Sequence, residues 1–234
     1  MSHLTFTLIQ TNLHWEDKAA NLQMLEEKIN SIQHPTQIVV LPEMFNTGFS
    51  MKPEELAEPR NGPTVEWMKK IASEKRVIVT GSLMIQEAVS SGQTGIAVPA
   101  NYFNRLIWML PNGQHGVYDK RHLFTLAGEN QKYQAGKQKK IVQYLDYKFC
   151  LQVCYDLRFP VFARNIEDYD VLLYVANWPK PRINAWDALL KARAIENMCY
   201  AIGVNRIGLD ANELEYVGHS QVIDYLGNIA VDCE

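Results

Sequence analysis

The feature that most constrains the fold of this chain is a regular alternation of short apolar segments with amphipathic segments of helical period. Residues 38–41 and 171–176 are apolar at every position, which is typical of strands in a sheet that is covered on both faces. In residues 16–32 and 184–198, apolar side chains recur every three or four positions, which predicts helices that are buried on one side. The alternation therefore predicts an α/β domain with mixed sheets.

Hydrophobic period and turn residues predict the remaining elements. Strands are predicted at residues 4–10, 37–41, 76–85, 102–110, 114–118, 140–144, 148–154, 170–176, 200–205 and 221–225, with a further helix at 63–74. Pro111-Asn-Gly113 and Gly227-Asn228 predict tight turns, and the polar stretch 86–99 predicts one surface loop. Because the chain has 234 residues, 47% of them hydrophobic, we expect one domain over residues 1–234.

Charge and composition argue against several classes of function. The net charge is −3, so there is no basic excess to neutralise the phosphates of a nucleic acid or an anionic membrane surface. The N-terminus lacks the basic region of a signal peptide and the apolar runs are too short to span a bilayer, so a cytoplasmic protein is expected. The sequence has no nucleotide-binding motif and no metal-ligand spacing of Cys and His, so we predict neither a metal nor a cofactor. The four cysteines form no Cys-x-x-Cys pair and are expected to be free thiols.

Reactive side chains stand at the ends of four of the predicted apolar strands. Glu43, Lys120, Cys154 and Asn177 each lie at such an end or within two positions of it. Ligands of open α/β sheets bind at the carboxyl ends of the strands. The sequence therefore predicts one site in which a carboxylate, an amine, a thiol and an amide lie together.

This set of groups suits nucleophilic catalysis. A free thiol has a pKa of about 8.5 and reacts poorly at neutral pH, so Cys154 needs a base or a nearby cation. Glu43 can accept the thiol proton, and Lys120 can stabilise the thiolate and a later oxyanion. Each residue alone is a weak signal, because a strand-end cysteine is more often a core residue and a lysine or glutamate usually faces solvent. His122 is an alternative base.

Three motifs around these residues resemble those of the nitrilase, or carbon–nitrogen hydrolase, superfamily. They are Leu41-Pro-Glu43-Met-Phe45, Tyr118-Asp-Lys120-Arg-His-Leu-Phe124 and Val153-Cys154-Tyr-Asp-Leu-Arg-Phe-Pro160. The motifs occur in the family's order, and the resemblance covers nearly the whole chain. Two further segments, 174–179 and 191–197, make the sequence most similar to the omega-amidase branch.

The resemblance implies a fold, an assembly and a set of catalytic residues. The fold is a four-layer αββα sandwich that pairs as αββα-αββα in a homodimer or a larger homo-oligomer. The catalytic triad is Glu43, Lys120 and Cys154. Glu129 supports this triad, and the backbone N–H of Tyr155 serves as an oxyanion donor.

The resemblance also implies hydrolysis of a small amide through a thioester on the cysteine. For the omega-amidase branch, the substrate is the terminal amide of a dicarboxylic acid monoamide such as 2-oxoglutaramate, 2-oxosuccinamate or succinamate. Arginine forms the best fork for the far carboxylate, so Arg158 and Arg182 are candidate ligands; a structural ion pair is the alternative role of Arg158. Asn177, Trp178 and Phe124 are the other candidate substrate contacts.

Two alternative functions stay open at this point. An amidohydrolase that acts on N-carbamoyl amino acids, or another amidase of the superfamily, would share the triad and differ in its pocket. A non-catalytic scaffold with the same fold is the alternative from another class, although such a protein would be expected to have lost at least one triad residue. Family members also usually continue for a few dozen residues past the position of Glu234, so a missing C-terminal tail is expected.

Overall fold

The first sheet is formed by the N-terminal part of the chain. The structure is a computed structural model that describes residues 3–88 and 100–233. The elements of this part are β1 (Phe6–Leu8), α1 (Lys18–Asn30), β2 (Ile38–Val40), α2 (Pro53–Leu56), β3 (Glu58–Pro59), α3 (Pro63–Lys75), β4 (Ile78–Glu87), β5 (Asn101–Met109) and β6 (His115–Asp119). The strand order is β1-β2-β4-β5-β6, with β3 beside β4. Strands β1, β2 and β4 are parallel, and β5 and β6 continue the sheet antiparallel.

The second sheet is formed by the C-terminal part. Its elements are α4 (Glu129–Lys132), β7 (Lys140–Tyr144), β8 (Tyr147–Val153), α5 (Pro160–Ala163), β9 (Val171–Val175), α6 (Ile183–Asn197), β10 (Tyr200–Val204), β11 (Ile207–Leu209), β12 (Glu215–Val217), β13 (Ser220–Ile223) and β14 (Ile229–Cys233). The strand order is β14-β13-β10-β9-β8-β7, in which β8, β9 and β10 are parallel. Strands β11 and β12 pair separately as a small antiparallel ribbon.

The two sheets share one hydrophobic core. The ring of Trp108 on β5 lies 4.9 Å from that of Phe149 on β8, measured between centroids, and side chains of α6 join the same cluster. Gly203 on β10 lies directly under Trp186 and Leu190 of α6, and a Cβ at this position would come within 2.6 Å of both side chains. The glycine therefore allows the close approach of α6 to the second sheet. Helices α1 and α3 belong to a second cluster that includes buried side chains of the first sheet.

The structure confirms the α/β class and most of the predicted elements. Gly113 and Gly227 have φ values of +82° and +85°, as the two predicted turns require. The predicted loop 86–99 begins later than expected, because β4 continues to Glu87; residues 89–99 lie outside the described part of the chain. All four cysteines are free, as expected. Among the described residues, no helix is both long enough and apolar enough to cross a bilayer.

Candidate active site

The side chains that follow β2, β6, β8 and β9 meet at one point between the two sheets. Lys120 Nζ donates to Glu43 Oε1 at 2.9 Å, and the backbone N–H of Asn177 donates to Glu43 Oε2 at 2.8 Å. Cys154 Sγ lies 3.9 Å from the backbone oxygen of Asn177. Because β2 and β6 belong to the first sheet and β8 and β9 to the second, the site depends on how the two sheets pack together.

Cys154 begins a short 3-10 turn directly after β8. Its φ is +45°, in the left-handed region that costs a non-glycine residue on the order of 1–3 kcal/mol. The Asp156 carboxylate stabilises this turn by accepting the N–H groups of Val153 at 3.0 Å and His122 at 2.8 Å, and the Tyr118 hydroxyl at 2.7 Å. The strained backbone is thus held in place by a buried carboxylate two residues further along the chain.

A fully buried cluster of charges lies beside the thiol. Glu43, Lys120 and Glu129 are all 0% exposed. Lys120 Nζ is 2.9 Å from Oε1 of Glu43 and from Oε2 of Glu129, and Glu129 also accepts the backbone N–H of Phe124 at 2.6 Å. Burial alone would lower the pKa of Lys120, but attraction to Glu129 and Glu43 raises it above its ordinary value. The lysine is therefore a permanent cation in this site.

Burial also keeps the nucleophile candidate protonated. It raises the pKa of the Cys154 thiol well above its ordinary value, and the negative charge of Glu43 adds to this effect while Lys120 opposes it. A resting thiol of this kind needs a nearby proton acceptor before it can attack a carbonyl carbon. The charge of Glu43 acts on the thiol, which makes its carboxylate the candidate acceptor of that proton.

Cys154 opens into a cavity of about 520 Å³, a size typical of small-molecule sites. Aromatic side chains form much of the wall; they are Trp15, Phe49, Phe124, Tyr155, Trp178 and Tyr216. The side chain of Tyr155, next to the thiol, packs edge-on against Phe124 with centroids 5.0 Å apart. The predicted substrate contacts Phe124, Asn177 and Trp178 therefore all line the cavity into which the thiol opens.

Both candidate arginines line this cavity as well. The guanidinium of Arg158 lies 5.1 Å from the ring centroid of Trp178, and that of Arg182 lies 5.0 Å from the centroid of Phe124. Within the described part of the chain, neither arginine forms an ion pair with a carboxylate. The ion-pair alternative for Arg158 therefore finds no partner among these residues, and both cations remain available to an anionic ligand.

His122 belongs to the turn that the Asp156 carboxylate stabilises. Its Nδ1 lies 2.7 Å from Asp156 Oδ1, and its ring stacks on Phe159 with centroids 3.7 Å apart. It does not line the cavity that contains Cys154. The geometry places His122 in support of the Asp156 turn, and Glu43, whose charge acts on the Cys154 thiol, remains the candidate base.

Several residues at the site were not predicted from the sequence. Asn104, buried within β5, donates to both Glu43 and Glu129. Asp210 and Tyr216, from the ribbon β11–β12 and its connecting turn, line the cavity, as do Glu16 and Lys52, which form an ion pair at 2.8 Å. Strand β12 has only three residues, too few for a periodic signal, and a single polar residue inside a strand carries no signal of its own.

The acidic side chains, histidines and cysteines of the chain are the possible ligands of a metal ion. Within residues 3–88 and 100–233, no group of three or more His, Cys, Asp or Glu side chains is arranged to hold a metal ion. The expectation that the chain works without a metal or a cofactor remains a prediction.

A family model and the relatives that match this chain in sequence point to the same protein family. A model of the carbon–nitrogen hydrolase family matches residues 5–234. The omega-amidase YafV of Yersinia enterocolitica is 42% identical over 234 residues, which are 100% of this chain and 86% of that protein. The 2-oxoglutaramate amidase of Bacillus subtilis is 30% identical over 233 residues, which are 97% of this chain and 85% of that protein.

A solved structure agrees with these sequence matches. The crystal structure of a CN-hydrolase superfamily protein from Xanthomonas campestris, with an arsenic adduct in its active site, superposes with a TM-score of 0.91. The two proteins are 40% identical, and the match covers 100% of this chain and 87% of the other. The resemblance to omega-amidases seen in the sequence is thereby confirmed. The chain belongs to the carbon–nitrogen hydrolase family and is an amidase that cleaves C–N bonds other than peptide bonds.

Proposed function

We propose that this protein is an omega-amidase, which hydrolyses the terminal amide of a dicarboxylic acid monoamide and uses Cys154 as its nucleophile. One observation carries the proposal: the Cys154 thiol, on which the buried Glu43–Lys120 pair acts, opens into a cavity lined by two arginines that form no ion pair within the described part of the chain. The charge pair suits the chemistry of an amide carbonyl, and the arginines suit an anionic group elsewhere on the same substrate.

Glu43, Lys120 and Cys154 carry the reaction in this proposal. Glu43 takes the proton of the Cys154 thiol, and the sulfur attacks the amide carbon to give a tetrahedral oxyanion. Lys120 and the backbone N–H of Tyr155 stabilise that oxyanion, an effect of about 3–4 kcal/mol for one well-placed donor. The C–N bond then breaks, and the leaving nitrogen takes the proton from Glu43 to depart as ammonia.

Water completes the cycle. The acyl group remains on Cys154 as a thioester, and Glu43 removes a proton from the water that attacks it. The C–S bond breaks, the carboxylic acid leaves, and the thiol regains its proton. Glu129 supports the cycle by holding Lys120, because its two oxygens lie 3.1 and 2.9 Å from Nζ.

The far end of the cavity sets the substrate class in this proposal. Arg158 and Arg182 hold the distal carboxylate, while Trp178 and Phe124 keep each guanidinium in place through the stacking described above. Asn177 places its backbone against Glu43 and forms part of the wall near the scissile amide. The omega-amidase and 2-oxoglutaramate amidase names of the two relatives support 2-oxoglutaramate, 2-oxosuccinamate and succinamate as the compounds to test.

We also propose the architecture and assembly implied by the sequence. The packing of α1 and α3 with the first sheet and of α6 with the second supports a four-layer αββα sandwich in one domain. Apolar side chains are exposed on α6 and the β13–β14 hairpin; they include Ile195, Met198, Leu226, Ile229 and Val231. A surface of this kind supports pairing of two chains as a homodimer, and a cytoplasmic location fits the free thiols.

Ammonia release from succinamate, 2-oxoglutaramate and N-carbamoyl-β-alanine tests the proposed activity, with Cys154→Ala as the blank. We expect release from the first two compounds and none in the variant. Release from the carbamoyl compound alone would retain the nucleophile and reject the omega-amidase assignment. Equal release by the variant and the parent protein would reject Cys154 as the nucleophile.

A further inference from the structure

The buried cluster beside Cys154 has an excess of negative charge. Glu43 and Glu129 face one cation, Lys120, and all three side chains are 0% exposed. With a neutral thiol, two carboxylates and one ammonium carry a net charge of −1. A buried charge that is not fully paired is stable only when hydrogen-bond donors compensate it. The backbone N–H groups of Asn177 and Phe124 each donate to one of the two carboxylates, which leaves the side that the carboxylates share in need of a neutral donor.

Asn104 meets this requirement. Its side-chain nitrogen donates to Glu43 Oε1 at 2.8 Å and to Glu129 Oε1 at 3.1 Å, so both amide hydrogens bind carboxylates. Its backbone oxygen accepts the N–H of Lys120 at 2.9 Å. Asn104 is 0% exposed and lies inside β5, which is paired with β4 on one side and β6 on the other. One residue thus contacts all three charged members from a rigid strand.

The bonds of Asn104 differ from those of a buried asparagine with a structural role. Asn21, which is also 0% exposed, donates its side-chain nitrogen to the backbone oxygens of His14 and Asn46. It ties a helix to two loops. Both side-chain hydrogen bonds of Asn104 go to carboxylates, and its Oδ1 has no hydrogen-bond partner among the described residues. The side chain of Asn104 is thus used as a donor to anions.

We propose that Asn104 is a positioning residue of the amidase reaction: its amide holds Glu43 and Glu129 side by side as ionised carboxylates, so that Glu43 is free to accept the proton of Cys154. This inference rests on the proposed function of Glu43 as the base. A donor to the charged form of a carboxylate favours that form. Burial pushes the pKa of Glu129 upward, with Lys120 opposing and Glu43 adding to the rise, and the Asn104 amide acts against protonation of the pair.

The titratable groups that face this pair are few. They are Lys120 from the end of β6, Cys154 from the turn after β8 and Tyr133 from the end of α4, whose own pKa is raised by burial and by Glu129. None of them supplies a neutral donor to both carboxylates. Loss of the Asn104 amide is therefore expected to appear directly in the protonation of the carboxylate pair.

The test compares Asn104→Leu, which keeps the approximate volume and removes both donors, with Asn104→Asp, which adds a third carboxylate. The readouts are the pH dependence of kcat/KM on succinamate and the pH dependence of Cys154 alkylation by iodoacetamide. We expect the acid limb of both profiles to move to higher pH by about one to two units in Asn104→Leu, because a hydrogen bond to a charged group is comparable in free energy to that shift. The shift in Asn104→Asp should be larger.

Asn21→Leu is the matched control, which should lower the melting temperature and leave both pH profiles in place. If Asn104→Leu does not fold, Asn104→Ser, which retains one donor, carries the test and should give a smaller shift in the same direction. Profiles that coincide with the parent protein's would overturn the role of Asn104. Selective alkylation of Cys154 without ammonia release from any substrate would instead reject the proposed function, while the alkylation profiles still decide on Asn104.

Discussion

Cys150 lies within β8 and Cys154 directly follows it. Both thiols are buried, but their surroundings differ. Cys150 is 0% exposed and Cys154 is 8% exposed. Burial raises the pKa of the Cys150 thiol to about 12, and it raises that of Cys154 as well. Cys150 lies among the apolar side chains between the sheets, whereas Cys154 has a left-handed backbone, the Glu43–Lys120 pair and an open cavity beside it.

The difference implies that the proposed reactivity of Cys154 does not come from a thiol that is ionised at rest. Both thiols are neutral at pH 7, because burial disfavours the thiolate in each case. In the proposed mechanism, Cys154 differs by having a carboxylate that accepts its proton and a cation that stays charged next to that carboxylate. Thiol chemistry in this protein is thus expected to follow the neighbours of each cysteine and not its degree of burial.

The largest expected effect comes from removing each thiol in turn. Cys154→Ala should lower the rate of amide hydrolysis by about 10⁴-fold or more, since it removes the nucleophile. Cys150→Ala should leave the rate per folded molecule within about twofold and only reduce stability, because it opens a small space in the core. Ammonia release normalised to the folded fraction from circular dichroism measures both. A comparable loss in the two variants would break the comparison.

The next largest effect on activity is expected at Glu43, whose carboxylate lies beside Cys154 and not beside Cys150. Glu43→Gln should lower kcat by about 10²–10⁴-fold, because a positioned general base contributes that much. Glu58→Gln is the matched control: Glu58 is also buried, and it bonds Thr64 and Lys18 away from the cavity. That variant should lower the melting temperature and keep kcat. Steady-state kinetics and thermal melts separate the two results, and an unchanged kcat in Glu43→Gln would remove Glu43 from the mechanism.

Much of this comparison could be predicted from the sequence. Apolar runs and helical period are visible in a single chain, so the strands that end at Glu43, Lys120 and Cys154 were predicted within a few residues. The carboxyl ends of strands then suggested one site. The packing of two sheets against each other, which brings β2 and β6 to β8 and β9, depends on long-range contacts that no local pattern encodes.

The features that were not predicted from the sequence all depend on contacts between elements that are distant in the chain. Asn104 acts through its neighbours on two other elements, and its position inside β5 gives no periodic signal. The ribbon β11–β12 is made of three-residue strands and supplies Tyr216 to the cavity. The stacking of Arg158 on Trp178 likewise follows from the tertiary fold, because the two residues lie twenty positions apart in the chain.

A smaller effect is expected at the two arginines that line the cavity. Arg158→Leu and Arg182→Leu should each raise KM for succinamate by about 10–100-fold, since a hydrogen bond to a charged group contributes on that order. KM for butyramide, which lacks the distal carboxylate, should change much less. Arg164→Leu, an exposed arginine outside the cavity, is the control. Equal losses for both substrates in either cavity variant would show that its arginine serves packing and not recognition.

The smallest expected effect is the contribution of the Cys150 thiol to the pH dependence of the free energy of unfolding. The folded-state pKa of Cys150, about 12, lies above the reference value of 9.0, so its stabilising effect is complete below about pH 9 and is lost as the pH rises toward 12. By pH 10 the loss amounts to about 1 kcal/mol. Urea unfolding between pH 8 and 10 should therefore show a shallower decline in Cys150→Ala than in the parent protein. Cys233→Ala, at a thiol that is only partly buried and whose pKa is also raised by burial, should reduce the slope less than Cys150→Ala does. If Cys150→Ala and the parent declined in parallel, the Cys150 thiol would ionise as readily in the folded chain as in the unfolded one, and its contrast with Cys154 would then have to rest on the cavity and the Glu43 carboxylate alone.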